Sequence, residues 1–231
     1  MKAISTLIFQ VYLPALLMHV GWSMTIPVLP LFARELGAGL AIAGLIVSAK
    51  GVGPLILNIP SGMLISRYGN RLVLYVTTVL TLLTAIGSGL TRSIFFLGIM
   101  MLLAGGAQTV WMMTRVNYLR AVVPIERRGR AIASVGGIIR IGTFLGPIIG
   151  GYVGKYLGLN WVFFVQATVT FLALMQLALS KKSREVHVKD PEEKPGGIPT
   201  VLRVLGEHRK SFLTVGLVTI AFAIVRTGRH I

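Results

Sequence analysis

Five ionisable side chains stand inside otherwise apolar stretches of this sequence: His19, Lys50, Arg115, Arg140 and Arg226. A charge at membrane depth is costly and marks a candidate functional position by default. The first six apolar runs hold no Asp or Glu. The cations must then be met by backbone carbonyls, water, acids elsewhere, or an anionic solute. His19, Lys50, Arg115 and Arg140 could share one central cavity, with Arg226 reaching it from a seventh helix. Two bland readings stand beside this one. Arg115 could anchor at the inner interface, and His19 could be a hydrogen-bonded helix contact. The set suits binding and moving a solute rather than breaking a bond. No catalytic residue, metal ligand or cofactor is therefore assigned. The absence of cysteine also excludes disulfide scaffolds, thiolate metal sites and cysteine nucleophiles.

The elements that position these residues follow from composition. Of 231 residues, 54 % are apolar and 13 % charged, and the mean hydropathy is +0.79. Soluble domains carry about 25 % charged residues. A soluble enzyme and a disordered chain are both excluded. A bilayer core needs about 20 apolar residues of helix. Such runs lie near 6–31, 39–62, 72–91, 94–121, 131–154 and 161–179, with part of a seventh from about 211. The first run is no cleaved signal peptide, because it is too long and holds Pro14, Pro27 and Pro30. The expected fold is all-α: a six-helix transmembrane bundle (1–179), a polar linker (180–210) and a partial helix of a second bundle (211–231).

The formal net charge of +16 invites a nucleic-acid reading, which requires a basic face on a folded domain. Here the basic residues sit in short tracts between apolar runs. Fifteen lie before the first run, in the even-numbered connections and after the sixth run, against Arg34, Arg92 and Lys155 on the other side. Cytoplasmic loops collect Lys and Arg. The N-terminus and residues 180–210 are therefore expected in the cytoplasm. The chain reads as a multi-pass protein of the inner cell membrane whose partners are lipid and solute, not nucleic acid.

Two motifs carry more information. The connection after the second run reads "SGMLISRYGNRLVL", with Gly62, Ser66, Arg67, Gly69 and Arg71. Gly62 would allow close helix contact and Gly69 a tight turn. The fifth run contains "GTFLGPIIGG", with Gly142, Gly146, Pro147, Gly150 and Gly151. Proline removes a backbone donor, and glycines leave a groove for a neighbouring helix. Together these segments resemble the major facilitator superfamily, and the second resembles the glycine–proline motif of its drug-efflux and antiporter branch. "IPVLPLF", "PIERRGRA" and "NWVFFVQ" look like the same superfamily, so the resemblance covers essentially the whole chain. It implies a cytoplasmic gate at the first motif, and export with limited leak from the second. Three departures stand out. Ser66 replaces the family aspartate that helps latch the gate by charge, and Asn70 replaces its first basic residue. Serine could still cap the third helix. The arginine that many drug–proton antiporters carry early in the fourth helix is also absent, with Met101 or Leu102 there.

The function expected is movement of a small, anionic or acceptor-rich solute by alternating access, as secondary active efflux, with a coupling ion left open. The apolar run from Phe212 to Val225 is short of a full span. With the basic linker, it suggests the first half of a longer transporter whose C-terminal half is missing. The alternatives are a truncated half-transporter, inactive alone or acting as an assembling subunit, and a non-transporting receptor or scaffold. The last leaves the glycine–proline motif unexplained.

Overall fold

The structure is a computed structural model that describes residues 12–179, without the side chains of Ile59, Ala121 and Val122. Arg226, the linker and the partial seventh helix lie outside the described residues. Among those described, every element is helical. Six helices are long and apolar enough to cross a membrane.

Helix α1 is Leu13–Glu35, with Pro14 in its first turn, where the missing N–H costs nothing. Pro27 and Pro30 lie inside it without ending it. A continuous helical tract of 51 residues follows, Leu40–Leu90, broken at Gly69. Its two arms are α2 (40–68) and α3 (70–90). Gly69 adopts φ 77°, ψ 159°, a region open essentially to glycine alone. The non-helical stretch expected between the second and third runs is thus reduced to one residue. Helix α4 is Ile94–Val122, α5 is Ile125–Tyr156 and α6 is Leu159–Leu179.

α5 starts six residues earlier than the apolar run suggests. Pro124 stands at its N-cap with an extended ψ of 147°, and Glu126 sits in the first turn, where a carboxylate is favourable beside unpaired N–H groups. Arg127, Arg128 and Arg130 are therefore helical. Arg128 Nε donates back to the Val123 carbonyl at 3.0 Å across the turn.

α1 is the hub, packed against α5, α6 and α2, while α4 lies along the α2–α3 tract. Near the outer end expected for α1, Met24, Val28 and Phe32 share a core with Leu97, Val162 and Phe163. At mid-depth Met18 and Trp22 meet Leu74, Trp111 and Ala173. α3 buries Thr77, Thr78, Thr81, Thr84 and Ser88. Each hydroxyl donates to a carbonyl three or four residues earlier on its own helix, which lets polar side chains lie in an apolar interior.

Glycine sets the two closest helix contacts. A Cβ on Gly142 would lie 2.8 Å from His19 Cβ, and one on Gly146 would lie 2.5 Å from Ser23 Cβ. One on Gly150 would run into the backbone of Met24. The contacts advance together along both chains, so α1 and α5 run parallel. Odd-numbered spans of one bundle must do so. α4 is also seated on α2 by glycine. Gly105 meets the Lys50 backbone, Gly53 meets Leu102 and Gly106, and Gly106 meets the Leu57 side chain. Small residues permit this approach in lipid, where apolar burial alone does not drive helices together.

Candidate solute cavity

The glycine contacts bring α1, α2, α4 and α5 around one cavity of about 350 Å³. Its walls are His19, Trp22, Ser23 and Ile26 of α1, Val47, Lys50 and Gly51 of α2, Gln108 of α4, and Thr143 of α5. The α1 residues recur at helical spacing and form one stripe.

Lys50 is held where α2 faces α1. Its Nζ donates to Thr25 Oγ1 at 3.2 Å and lies 3.5 Å from the Trp22 carbonyl oxygen. Thr25 in turn donates to that same carbonyl at 2.9 Å. An ammonium has three N–H donors, and these two contacts are at the long end of hydrogen-bond geometry. The cation is oriented but not saturated by the protein.

An aromatic cluster stands beside it. Trp22 meets His19 edge-on with centroids 5.0 Å apart, and meets Trp111 of α4 at 5.3 Å and 87°. Such T-shaped pairs place a positive ring edge on a negative ring face. Arg115, 3 % exposed, lies with its guanidinium carbon 5.1 Å from the Trp111 ring centre. His19 Nδ1 is 2.9 Å from the Ala15 carbonyl oxygen. With Nδ1–H donating there, Nε2 is left as the acceptor. Trp22 Nε1 is buried and has no hydrogen-bond partner among the described residues.

The candidate residues therefore divide. His19 and Lys50 line the cavity. Arg115 lies one layer behind it, under Trp111. Arg140 is exposed and does not line the cavity, though it sits one helical turn from Thr143, which does. Arg226 is outside the described residues. Trp22, Gln108 and Thr143 are cavity residues that a search for charge overlooks. The readable signals were a tryptophan three residues after His19 and an amide, Gln108, in the middle of the fourth run.

The fifth-helix motif also divides. Gly142, Gly146 and Gly150 are the buried positions that seat α5 on α1. Gly151 has nothing within 4 Å of a built Cβ. The helix continues through Pro147. In the first motif, a Cβ on Gly62 would also meet nothing within 4 Å, so the close contact expected there is not made among the described residues. Ser66 does not cap α3, because its hydroxyl donates to the Met63 carbonyl at 3.0 Å, one turn back on α2. Arg67 and Arg71 lie over the rings of Tyr68 and Tyr75, and Tyr75 donates to the Leu177 carbonyl of α6 at 2.8 Å. Asn70 accepts a hydrogen bond from Asn117 of α4 at 3.1 Å.

Six helices long and apolar enough to span a membrane enclose, with α1 and α5 parallel, a cavity that polar side chains help to line. The Major Facilitator Superfamily profile matches residues 11–227, and the chain belongs to that superfamily. It is similar to the multi-drug resistance efflux pump PmrA of Streptococcus pneumoniae, with 25 % identity over 77 % of this chain and 44 % of that protein. It is also similar to the quinolone resistance protein NorA of Staphylococcus aureus, with 24 % identity over 64 % of this chain and 38 % of NorA. Among solved structures, an auto-inhibited POT family peptide transporter shares the fold with a TM-score of 0.71 and 19 % identity. That match covers 86 % of this chain and 41 % of the transporter. The chain thus spans less than half the length of the relatives it matches. It is a multi-pass membrane protein of a transporter family.

Proposed function

We propose that this chain forms the N-terminal six-helix wall of an exporter that moves a small solute across the inner cell membrane by alternating access. The single observation that carries this reading is a polar cavity walled by α1, α2, α4 and α5 inside a superfamily bundle. The relatives named as drug-efflux proteins support the direction. Residues 180–210 serve as a cytoplasmic hinge to a second bundle that begins near 211. The N-terminus is cytoplasmic, on the fifteen-to-three charge asymmetry. The solute is anionic or rich in acceptors, and its movement is coupled to an ion gradient. Gly62, Ser66, Arg67, Gly69 and Arg71 form the inner gate.

A second reading follows from the chain spanning 44 % of its efflux relative. In it the chain supplies one wall only and works with a separate second half. Both readings are tested by expressing residues 1–231 in a host stripped of its own drug exporters. The chain is expressed alone, and also together with the C-terminal half of an efflux relative. Energised, saturable loss of preloaded fluorescent solutes in either arm supports export. Activity confined to the paired arm selects the second reading. Correct insertion without solute movement in either arm overturns both.

A further inference from the structure

We propose that Lys50 sets the charge preference of the cavity, and that the solute class it selects is aromatic monocarboxylates. This deepens the export reading and rests on it for the cavity being the solute path.

Three observations carry it. The first is electrostatic. Among the described residues, Lys50 is the one Lys or Arg side chain in the cavity walls, and no Asp or Glu lines them. Arg115 lies behind Trp111 and Arg140 lies one turn from Thr143, so every further cation near the site has the same sign as Lys50. The described residues include only two acids, Glu35 and Glu126, and both sit at helix ends remote from the walls. One cation at the wall matches a single negative charge. A lipophilic cation would meet like charge in a low-dielectric site with nothing to offset it.

The second observation is the state of the donors. The Lys50 ammonium is aimed by Thr25 and the Trp22 carbonyl, yet those contacts engage at most two of its three N–H groups. Trp22, 3 % exposed, lines the same cavity, and its buried indole N–H has no partner among the described residues. Indole is a donor only. A buried donor left without an acceptor is destabilising. A carboxylate offers two acceptor oxygens, one to the open N–H of Lys50 and one to the indole N–H, which a small turn of the Trp22 ring brings to the cavity surface.

The third is shape and surface. Trp22 supplies an aromatic wall, and Ile26 and Val47 supply aliphatic ones. A planar ring can lie against the indole while its carboxylate reaches Lys50. The volume of about 350 Å³ lies at the small end of ligand sites, which run roughly 300–1,000 Å³. That size fits one or two fused rings.

The test reads binding apart from transport. The full chain in a neutral maltoside detergent is titrated with 2-naphthoate and with 2-naphthylmethylammonium, matched in ring and opposite in charge. The wild type is expected to bind the carboxylate at least tenfold tighter. Lys50→Arg keeps that preference, Lys50→Gln abolishes it, and Lys50→Glu reverses it. Trp22→Phe keeps an aromatic wall and removes the indole N–H. It is expected to weaken 2-naphthoate several-fold. Cyclohexanecarboxylate should bind several-fold more weakly than 2-naphthoate to the wild type. Gel-filtration profiles identify variants that fail to fold, and Lys50→Arg guards against reading misfolding as lost charge. Equal or tighter binding of the ammonium by the wild type overturns the proposal. So does binding of neither probe, or an unchanged preference in folded Lys50→Gln. Export with no Lys50-dependent carboxylate binding refutes the solute class and leaves export standing. Such binding with no solute movement does the reverse.

Discussion

Asn70 stands where the superfamily motif carries a basic residue, and it joins Asn117 by a neutral hydrogen bond at 3.1 Å. The pair ties the first turn of α3 to the C-terminal part of α4, beside the first motif, which has Ser66 in place of an aspartate. A neutral bond of this kind contributes about 0.5–1.5 kcal/mol net, and its strength depends little on salt. Asn70→Ala and Asn117→Ala are each expected to lower thermal stability modestly. The double variant should cost less than the sum of the two, because both remove one interaction. A double-mutant cycle at low and high salt measures this. Full additivity, or a coupling that fades as salt rises, would contradict a neutral tie. Gly69 matters for a different reason. Its φ of 77° with ψ of 159° is a conformation that costs other residues about 1–3 kcal/mol. Gly69→Ala should lower stability by that amount although a Cβ there would meet nothing within 4 Å. Thermal melts in detergent that match the wild type would show the turn to be unstrained.

At the scale of elements, the fifth-helix motif is chiefly a packing surface against α1. A Cβ at Gly146 would lie 2.5 Å from Ser23 Cβ and 2.8 Å from the Val20 carbonyl oxygen, whereas one at Gly151 would meet nothing within 4 Å. Gly146→Leu is expected to force α5 away from α1, and with it Thr143 away from His19 and Trp22. Membrane insertion should survive, because insertion depends on the apolarity of each span. Solute movement and thermal stability should fall sharply. Gly151→Leu, the same change five residues on, should leave stability near wild type. Fluorescence-detected gel filtration after heating compares the two. Equal tolerance of both substitutions would remove the glycine seat from the account. Lys50 depends on the same kind of contact, since its backbone lies against Gly105 and its head group against Thr25. Gly105→Val should therefore disturb the cavity without touching a charge.

At the scale of the whole molecule, the side of the membrane that each connection faces sets the topology. The even-numbered connections carry the basic tracts, and the structure adds that α1 and α5 run parallel. On the proposed orientation, Ser93, at the α3–α4 turn, lies outside and Arg128, at the start of α5, lies inside. The chain has no cysteine, so single substitutions report without background. Ser93→Cys is expected to react with an impermeant maleimide in intact cells. Arg128→Cys should react only after the membrane is opened. The opposite pattern would invert the topology and turn the gate segment outward.

Helix type and the six spans of the described residues were legible in the sequence because each is a local sum. About twenty apolar residues suffice for a span. The superfamily was legible from two motifs for the same reason, since glycine and proline constrain the backbone where they stand. Helix starts were less legible. Pro124 begins α5 ahead of its apolar run, and a single glycine replaces the expected break between α2 and α3. Roles inside the bundle were not legible, because they depend on which helix faces meet. Of the charged candidates, His19 and Lys50 reach the cavity, Arg115 lies behind Trp111, and Arg140 lies exposed a turn away. Lys50 meets Thr25 and Trp22 from 25 and 28 residues along the chain. That meeting is a contact between α1 and α2, on each of which a further helix is seated by glycine: α4 on α2 at Gly53, Gly105 and Gly106, and α5 on α1 at Gly142, Gly146 and Gly150. A residue's type limits what it can bond. Which partner it finds is decided by long-range helix approach, which no window of sequence contains.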